Sequence, residues 1–125
     1  MQRIVITGAN EGIGFFMATQ FLKDGHKVAV LDLKLDNLKI LANEYHDSLQ
    51  LYQCDVSNAQ SVRQSIDNAS KALGGIDYAI HNACKCLFTS LEDTTDADYQ
   101  DVFAVNLSVT HLLNGYKQGW LTCFQ

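Results

Sequence analysis

Short apolar runs alternate with amphipathic stretches along this chain. Four of the runs predict buried strands, at Ile4–Ile6, Lys27–Asp32, Ser48–Val56 and Ile76–Ala83. The second run is apolar on both faces, which is typical of a parallel sheet that is covered by helices on both sides. Each run is followed by a stretch with helical spacing, so the pattern predicts a layered α/β fold.

Four helices are predicted between and after the strands, over Ile13–Lys23, Leu35–Tyr45, Ser57–Leu73 and Asp96 to about Leu113. Ser57 as N-cap with Gln60 three residues later is a capping-box arrangement, and Gly25 and Gly74 stand where helix ends are expected. The connections are too short for anything but right-handed crossovers, which predicts a doubly wound parallel sheet.

The stretch TGANEGIG, from Thr7 to Gly14, joins the first predicted strand to the first predicted helix. Its glycines allow the backbone to approach a pyrophosphate, and the N–H groups and dipole of the helix start would hold the negative charge. Glycines in such a turn can also be purely structural. The strand before and the helix after favour dinucleotide binding, because this is the context that the motif needs.

Asp32 stands at the carboxyl end of the second predicted strand. In a dinucleotide-binding fold, an acid here accepts hydrogen bonds from the adenosine ribose hydroxyls. It would also repel a 2′-phosphate, and Glu11 in the glycine loop adds repulsion of the same sign, although Lys34 follows Asp32 by two residues. The sequence therefore favours NAD over NADP. The alternative is that Asp32 merely ends a strand.

Several motifs in order resemble the short-chain dehydrogenase/reductase family. Thr7-Gly-x-x-x-Gly-x-Gly14 is similar to its glycine fingerprint, and Cys54-Asp55-Val56 is similar to the Asp-Val pair that ends its third strand. Gly75–Cys84 is similar to its fourth strand with the Asn-Asn-Ala-Gly motif, and Val105-Asn106-Leu107 to its helix-borne asparagine. The resemblance implies a Rossmann-like sheet of about four strands in the order 3-2-1-4, with helices on both faces.

The resemblance also implies the cofactor site and one active-site residue. The implied cofactor-binding residues are Gly8, Asn10, Glu11, Gly12, Ile13 and Gly14 at the pyrophosphate, Asp32, Leu33, Asp55 and Val56 at the adenosine, and Asn82, Ala83 and Cys84 beside the ribose. Asn106 matches the catalytic set's asparagine, whose role in the family is to hold a helix kink and a water in the proton relay.

The Asn-Asn-Ala-Gly motif reads His81-Asn82-Ala83-Cys84 here. Cys84 replaces a glycine where the backbone passes close to the cofactor, so its side chain could narrow the site. His81 could be a base, but a histidine at a strand end is more often structural. Cys84 and Cys86 could be redox-active, although nothing nearby in sequence marks a lowered thiol pKa. The preferred interpretation is reduced thiols that pack as small hydrophobic groups.

The family's catalytic serine and Tyr-x-x-x-Lys pair are not found in this sequence. Tyr116 and Lys117 are adjacent, so one helical step points them about 100° apart and they cannot imitate an i, i+4 pair. We expect residues 1–113 to form an incomplete NAD(P)-binding domain and residues 114–125 to be a divergent, C-terminally truncated tail. The resemblance implies NAD-dependent hydride transfer between an alcohol and a carbonyl, but the expectation is NAD binding without normal turnover. The alternatives are a non-catalytic dinucleotide-binding or dimerising module, or a truncated product with no function.

Composition narrows the partners further. The chain has 125 residues and a formal charge of −5, and its nine basic residues are scattered, which argues against nucleic acid as a partner. No apolar run approaches the ~20 residues that span a bilayer, and the cytoplasm is the expected location. Without a further strand beside it, the fourth strand would be an apolar edge. Self-association, as a dimer, is therefore expected through that edge or through the helix around Tyr99–Leu113.

Overall fold

The structure, a computed structural model, describes residues 1–108. Strands and helices alternate in the order β1 Arg3–Thr7, α1 Gly12–Lys23, β2 Lys27–Asp32, α2 Asp36–Glu44, β3 Leu49–Gln53, α3 Ala59–Leu73, β4 Tyr78–His81 and α4 Asp96–Phe103. A π-helical turn, Ala104–Ser108, continues α4. The strands pair in parallel in the order β3-β2-β1-β4, so the predicted doubly wound sheet of order 3-2-1-4 is confirmed.

Successive strand residues point to opposite sides of the sheet. Helices cover both sides, so both faces of the sheet are buried. Val5 and Ala79 belong to one apolar cluster, together with the inner face of α3. Ile4 and Ile6 belong to a second cluster, together with the inner faces of α1 and α2. The two clusters sandwich the strands, and this explains why β1 and β2 are almost continuously apolar.

The predicted glycine ends of two helices are confirmed. Gly25 and Gly74 have φ values of +81° and +79°, in the left-handed region that favours glycine. Behind α1, the His26 N–H donates to the Phe21 carbonyl and the Gly25 N–H donates to the Leu22 carbonyl, which is the bond pattern of a Schellman motif. The chain therefore turns sharply into β2.

The predicted N-cap at Ser57 is wrong. Asn58 caps α3, with its side chain accepting a 3.0 Å hydrogen bond from the Ser61 N–H. Ser57, one residue before this cap, is bonded to Asp55 instead: its N–H and hydroxyl both donate to Oδ1 of Asp55, at 3.0 and 2.6 Å. The same turn ends the third strand at Gln53, three residues before the predicted end.

The fourth strand is also shorter than predicted, and the fourth helix changes from α-helical to π-helical within the described residues. The strand ends at His81 because the N–H groups of Asn82 and Ala83 both donate to the Thr7 hydroxyl oxygen. The α-helical part of the last helix ends at Phe103, where the π-helical turn begins. Residues 109–113, the predicted boundary at residue 113, and Tyr116 and Lys117 lie outside the described residues.

Candidate dinucleotide cleft

A cleft of about 770 Å³ opens at the carboxyl edge of the sheet. It lies beside the adjacent strands β1 and β4, where the strand order reverses and where open α/β sheets bind ligands. Eleven of the predicted cofactor-binding residues line it, namely Gly8, Asn10, Glu11, Ile13, Asp32, Leu33, Asp55, Val56, Asn82, Ala83 and Cys84. Gly12, Gly14 and Asn106 are not among its lining residues.

Two of the loop glycines permit close packing beneath the cleft. A Cβ on Gly8, whose φ is +71°, would lie 2.6 Å from the Cα of Ala83. A Cβ on Gly14 would lie 2.5 Å from both the side-chain nitrogen of Asn82 and the carbonyl oxygen of Gly8. The Asn82 amide also donates to that carbonyl at 2.8 Å. These glycines let the loop pack on the end of β4, where no side chain would fit.

Gly12 differs from the other two glycines because the space beside it is open. Its φ is +61°, and an added Cβ would meet nothing within 4 Å. It begins α1, whose N-cap residue Glu11 makes no side-chain cap. Within residues 1–108 no other side chain accepts from this first turn, whereas Asn58 caps α3 and Thr95 caps α4. The first N–H groups of α1 are therefore available to an anion.

Asp32 ties the glycine loop to the end of β2. Its Oδ2 accepts a 2.9 Å hydrogen bond from the Asn10 N–H, and its Oδ1 accepts a 3.1 Å bond from the Lys34 N–H. A carboxylate has about four acceptor positions, so two remain for hydroxyl groups in the cleft. The arrangement fits both interpretations of the sequence, since Asp32 ends a strand and also lines the cleft.

The side chain of Asn10 is 5% exposed and is used within the protein. Its Nδ2 donates to Oδ1 of Asp36 at 2.9 Å, and its Oδ1 accepts from the Asn37 N–H at 3.1 Å. The Asn37 side chain returns a 3.0 Å bond to the Asn10 carbonyl. These bonds cap α2 from the glycine loop, since its own N-cap residue, Leu35, makes no side-chain cap. The pKa of Asp36 is lowered, chiefly by the bond from Asn10.

His81 is buried behind the cleft, against Thr7. The Thr7 hydroxyl oxygen accepts two N–H groups at 3.1 Å, so its proton points to Nδ1 of His81, 2.9 Å away. This network assigns the imidazole as neutral, with its proton on Nε2. Burial lowers the pKa of His81, while hydrogen bonds with the backbone of Asn106 and Val105 act in the opposite direction. The structural interpretation of His81 is the one that this geometry supports.

Asn106 and Lys85 form a paired contact at the far rim of the cleft. The Asn106 side chain accepts from the Lys85 N–H at 2.8 Å and donates to the Lys85 carbonyl at 3.0 Å. The Lys85 ammonium donates to Asp101 at 2.9 Å. Lys85 and Asp101 line the cleft and were missed from the sequence, because only the course of the loop brings them there. Asn106 thus fixes the loop after β4 to the π-helical turn.

Neither a metal-binding cluster nor a membrane-spanning helix is found within residues 1–108. No cluster of three or more histidine, cysteine, aspartate or glutamate side chains there could hold a metal ion. In the same part of the chain, no helix is long and apolar enough to cross a membrane.

Comparison with known proteins identifies relatives of the whole described region. The family model for short chain dehydrogenase matches residues 2–115. An uncharacterized oxidoreductase of Staphylococcus aureus (strain N315) is 31% identical over 107 residues, which is 85% of this chain and 46% of that protein. The chain thus spans about half the length of the curated relatives that it matches.

Solved structures share the fold. A short chain dehydrogenase from Burkholderia cenocepacia J2315 in complex with NADP is 25% identical, with a TM-score of 0.86 over 92% of this chain and 49% of that one. A 3-ketoacyl-(acyl-carrier-protein) reductase from Brucella melitensis complexed with NADH is 22% identical and shares the fold, with a TM-score of 0.81 over 95% of this chain and 55% of that one. Complexes with both nicotinamide cofactors therefore occur among structures of this fold.

Proposed function

The chain belongs to the short-chain dehydrogenase family, and from that premise we propose that its cleft binds NAD(H), in preference to NADP(H), as the cofactor site of an alcohol/carbonyl oxidoreductase. The observation that carries the proposal is the uncapped start of α1, where Glu11 and Ile13 line the cleft. A pyrophosphate suits this position, because the free N–H groups and the helix dipole both attract negative charge.

The preference for NAD rests on the charges that line the cleft. Asp32 has acceptor positions left for the two ribose hydroxyls, and both it and Glu11 would repel a 2′-phosphate. Among the lining residues the cations are Lys34 and Lys85, and the latter is paired with Asp101. Only Lys34 therefore remains to favour a phosphate, and it lies next to the acid that would repel one.

NAD, when bound, supplies the hydride acceptor of the reaction. The residues of this chain would bind and orient it: the glycine loop the pyrophosphate, Asp32, Leu33, Asp55 and Val56 the adenosine, and Asn82, Ala83 and Cys84 the ribose. Asn106 would hold the loop at Lys85 and keep the π-helical turn at the rim. The serine and the tyrosine–lysine pair that complete the family's chemistry are not among these 125 residues. We therefore propose that the polypeptide by itself binds NAD(H) without normal turnover of an alcohol or carbonyl substrate.

Two further proposals concern location and assembly. The proposed location is the cytoplasm, which suits the three free cysteines of the described region. Self-association, as a dimer, is proposed through β4, an edge strand of the described sheet, or through the exposed side chains of α4.

A calorimetric titration of the purified chain with NADH and then NADPH tests the main proposal. We expect NADH to bind at least about tenfold more tightly than NADPH, a difference that one unfavourable charge contact can supply. Equal affinities would refute the NAD preference. Absence of binding by either would refute the cofactor site itself. A panel of secondary alcohols with NAD should give no NADH absorbance, and clear turnover would refute binding without catalysis.

A further inference from the structure

Two thiols lie side by side at the rim of the cleft. Cys84 and Cys86 are both free and exposed, so the prediction that the thiols pack as small hydrophobic groups is wrong for this pair. Lys85 between them has an extended backbone, because its N–H and carbonyl both bond the Asn106 side chain. Residues i and i+2 of extended backbone point to the same side. The neighbouring Cys86 contributes to the raised pKa of the Cys84 thiol, as expected of two side chains on the same side of the loop. Cys84 also lines the cleft.

Lys85, between the two cysteines, is fixed on the opposite side of the loop. Its backbone N–H and carbonyl are both bonded to the Asn106 side chain, at 2.8 and 3.0 Å. Its ammonium is bonded to Asp101 at 2.9 Å. Three contacts thus hold the middle residue while both thiols remain exposed. This anchoring keeps the thiol pair together, and any covalent link between the sulfurs must act on the Lys85 peptide.

We propose that Cys84 and Cys86 form a reversible intramolecular disulfide, and that closing it weakens dinucleotide binding in the cleft. The second half of this proposal rests on the proposed function, and the first half does not. Residues two apart can meet the Cα spacing that a disulfide needs, about 4.4–6.8 Å. A sulfur–sulfur bond of about 2.05 Å is much shorter than a contact between thiols, so closure draws Cys84 toward Cys86.

Closure places Lys85 inside a small ring. The peptide must rotate to accommodate that ring, and the paired bonds to Asn106 are then lost or lengthened. Cys84 moves at the same time at the rim, next to Ala83 and Asn82, which pack on the glycine loop through Gly8. The disulfide therefore disturbs the ribose side of the cleft while leaving Gly12 and α1 in place.

The oxidant for this step is hydrogen peroxide. The thiolate of one cysteine attacks the O–O bond, which yields a sulfenic acid and one water. The thiol of the other then attacks the sulfenic sulfur, forming the S–S bond and releasing a second water. The two sulfurs lose two electrons, and hydrogen peroxide becomes two waters. Burial and the neighbouring Cys86 raise the pKa of the Cys84 thiol, which makes Cys84 a less reactive attacking group at neutral pH. A small dithiol reverses the reaction by exchange.

Tryptic mapping tests the disulfide without any cofactor. Trypsin cleaves after Lys71, Lys85 and Lys117, which separates residues 72–85 from residues 86–117, and each peptide then holds one cysteine. After treatment of the reduced full chain with hydrogen peroxide, we expect these two peptides to remain linked until a dithiol is added. The chain should migrate as a single unlinked polypeptide on a non-reducing gel. Peptides that stay separate, or links to Cys54 or Cys123, would overturn the proposal.

The coupling to the cleft is tested by calorimetry on the same preparation. The reduced chain should bind NADH, the oxidised chain should bind it about tenfold more weakly or worse, and dithiol should restore the affinity. Cys86→Ser should bind as the reduced chain does and should not respond to peroxide. Equal affinity of the linked and reduced chains would overturn the coupling. Linked peptides without NADH binding by the reduced chain would refute the proposed function and the coupling, and would still confirm the disulfide.

Discussion

The side-chain oxygen of Asn10 accepts a 3.1 Å hydrogen bond from the backbone N–H of Asn37, so a residue of the glycine loop caps the second helix. The bond joins the loop that would hold the pyrophosphate to the helix that follows Asp32. Since Asp32 also accepts from the Asn10 N–H, the loop, the end of β2 and the start of α2 form one hydrogen-bonded unit. Asn10 therefore acts on the cleft as a positioning residue.

Replacing Asn10 with alanine should cost stability and affinity together. Loss of the cap and of the bond to Asp36 should lower the free energy of unfolding by about 1–3 kcal/mol. NADH affinity should fall as well, because the loop is no longer held against α2. Denaturant unfolding and calorimetry measure the two effects.

Asn58→Ala is the matched control, since it removes the cap of α3 outside the cleft lining. It should lower stability by about 1 kcal/mol and leave NADH affinity unchanged. Equal affinity losses in both variants would contradict the positioning role.

A second prediction concerns the open space at Gly12. Gly12→Ala and Gly25→Ala each force alanine into a positive φ without a clash, at +61° and +81°. Each should therefore lower the free energy of unfolding by about 1–2 kcal/mol. Only Gly12→Ala should also weaken NADH binding, because its methyl group stands at the helix start to which the pyrophosphate is assigned. If both bind NADH as the parent does, the pyrophosphate does not lie there.

The parallel α/β sheet could be predicted from local patterns, whereas its strand order 3-2-1-4 was implied by the family resemblance. β1 and β2 are apolar on both faces, and a glycine turn follows β1, so the sequence alone indicates buried parallel strands. The cleft lining could be predicted for a related reason. Residues that follow parallel strands, such as Asp32 and Asn82, must meet at the carboxyl edge of the sheet.

The features that could not be predicted depend on competition or on distant contacts. Ser57 and Asn58 are both good helix caps. Asp55 decides between them, because its carboxylate accepts hydrogen bonds from the N–H and hydroxyl of Ser57 and leaves Asn58 as the cap. Likewise, nothing in the spacing of Asn10 shows that its side chain reaches α2. The pairing of Lys85 with Asn106 joins residues 21 apart through an irregular loop. Such contacts follow from the course of the backbone rather than from periodicity.

Removing the charge of Asp32 should change the choice of cofactor. Asp32→Asn keeps one acceptor oxygen and the shape of the side chain. Its single oxygen can accept from only one of the two backbone N–H groups that Asp32 binds, and the change removes the repulsion of a 2′-phosphate. We expect NADH to bind about tenfold more weakly and NADPH more tightly, measured by calorimetry. Asp47→Asn makes the same charge change at a 90% exposed side chain outside the cleft lining and should alter neither affinity. An unchanged preference in Asp32→Asn would mean that Asp32 only ends the strand.

Self-association can be assigned to one of two surfaces. Tyr99 and Phe103 stack on α4 with ring centroids 4.3 Å apart, and both are substantially exposed. Light scattering at micromolar concentration should report a dimer. Tyr99→Lys with Phe103→Lys should yield a monomer if α4 is the contact, whereas a persistent dimer would assign the contact to the edge of β4. A monodisperse monomer of the parent chain would contradict self-association by either route.

His81 should make stability depend on pH below neutrality. Because burial holds the pKa of the folded imidazole below the unfolded value of about 6.5, the unfolded chain gains a proton in this range before the folded one does. The stabilisation is therefore complete above about pH 6.5 and is lost as pH falls through the pKa of the folded state. Denaturant unfolding between pH 5 and 8 should show this decline, and NMR titration of the His81 ring should show the lowered pKa.

His81→Gln should be less stable at pH 8 but should lose less stability on acidification. His46→Gln is the control, because the side chain of His46 is 76% exposed and loses little burial on unfolding. Should acidification destabilise His81→Gln as steeply as the parent chain, the neutral, buried imidazole cannot be the source of the effect.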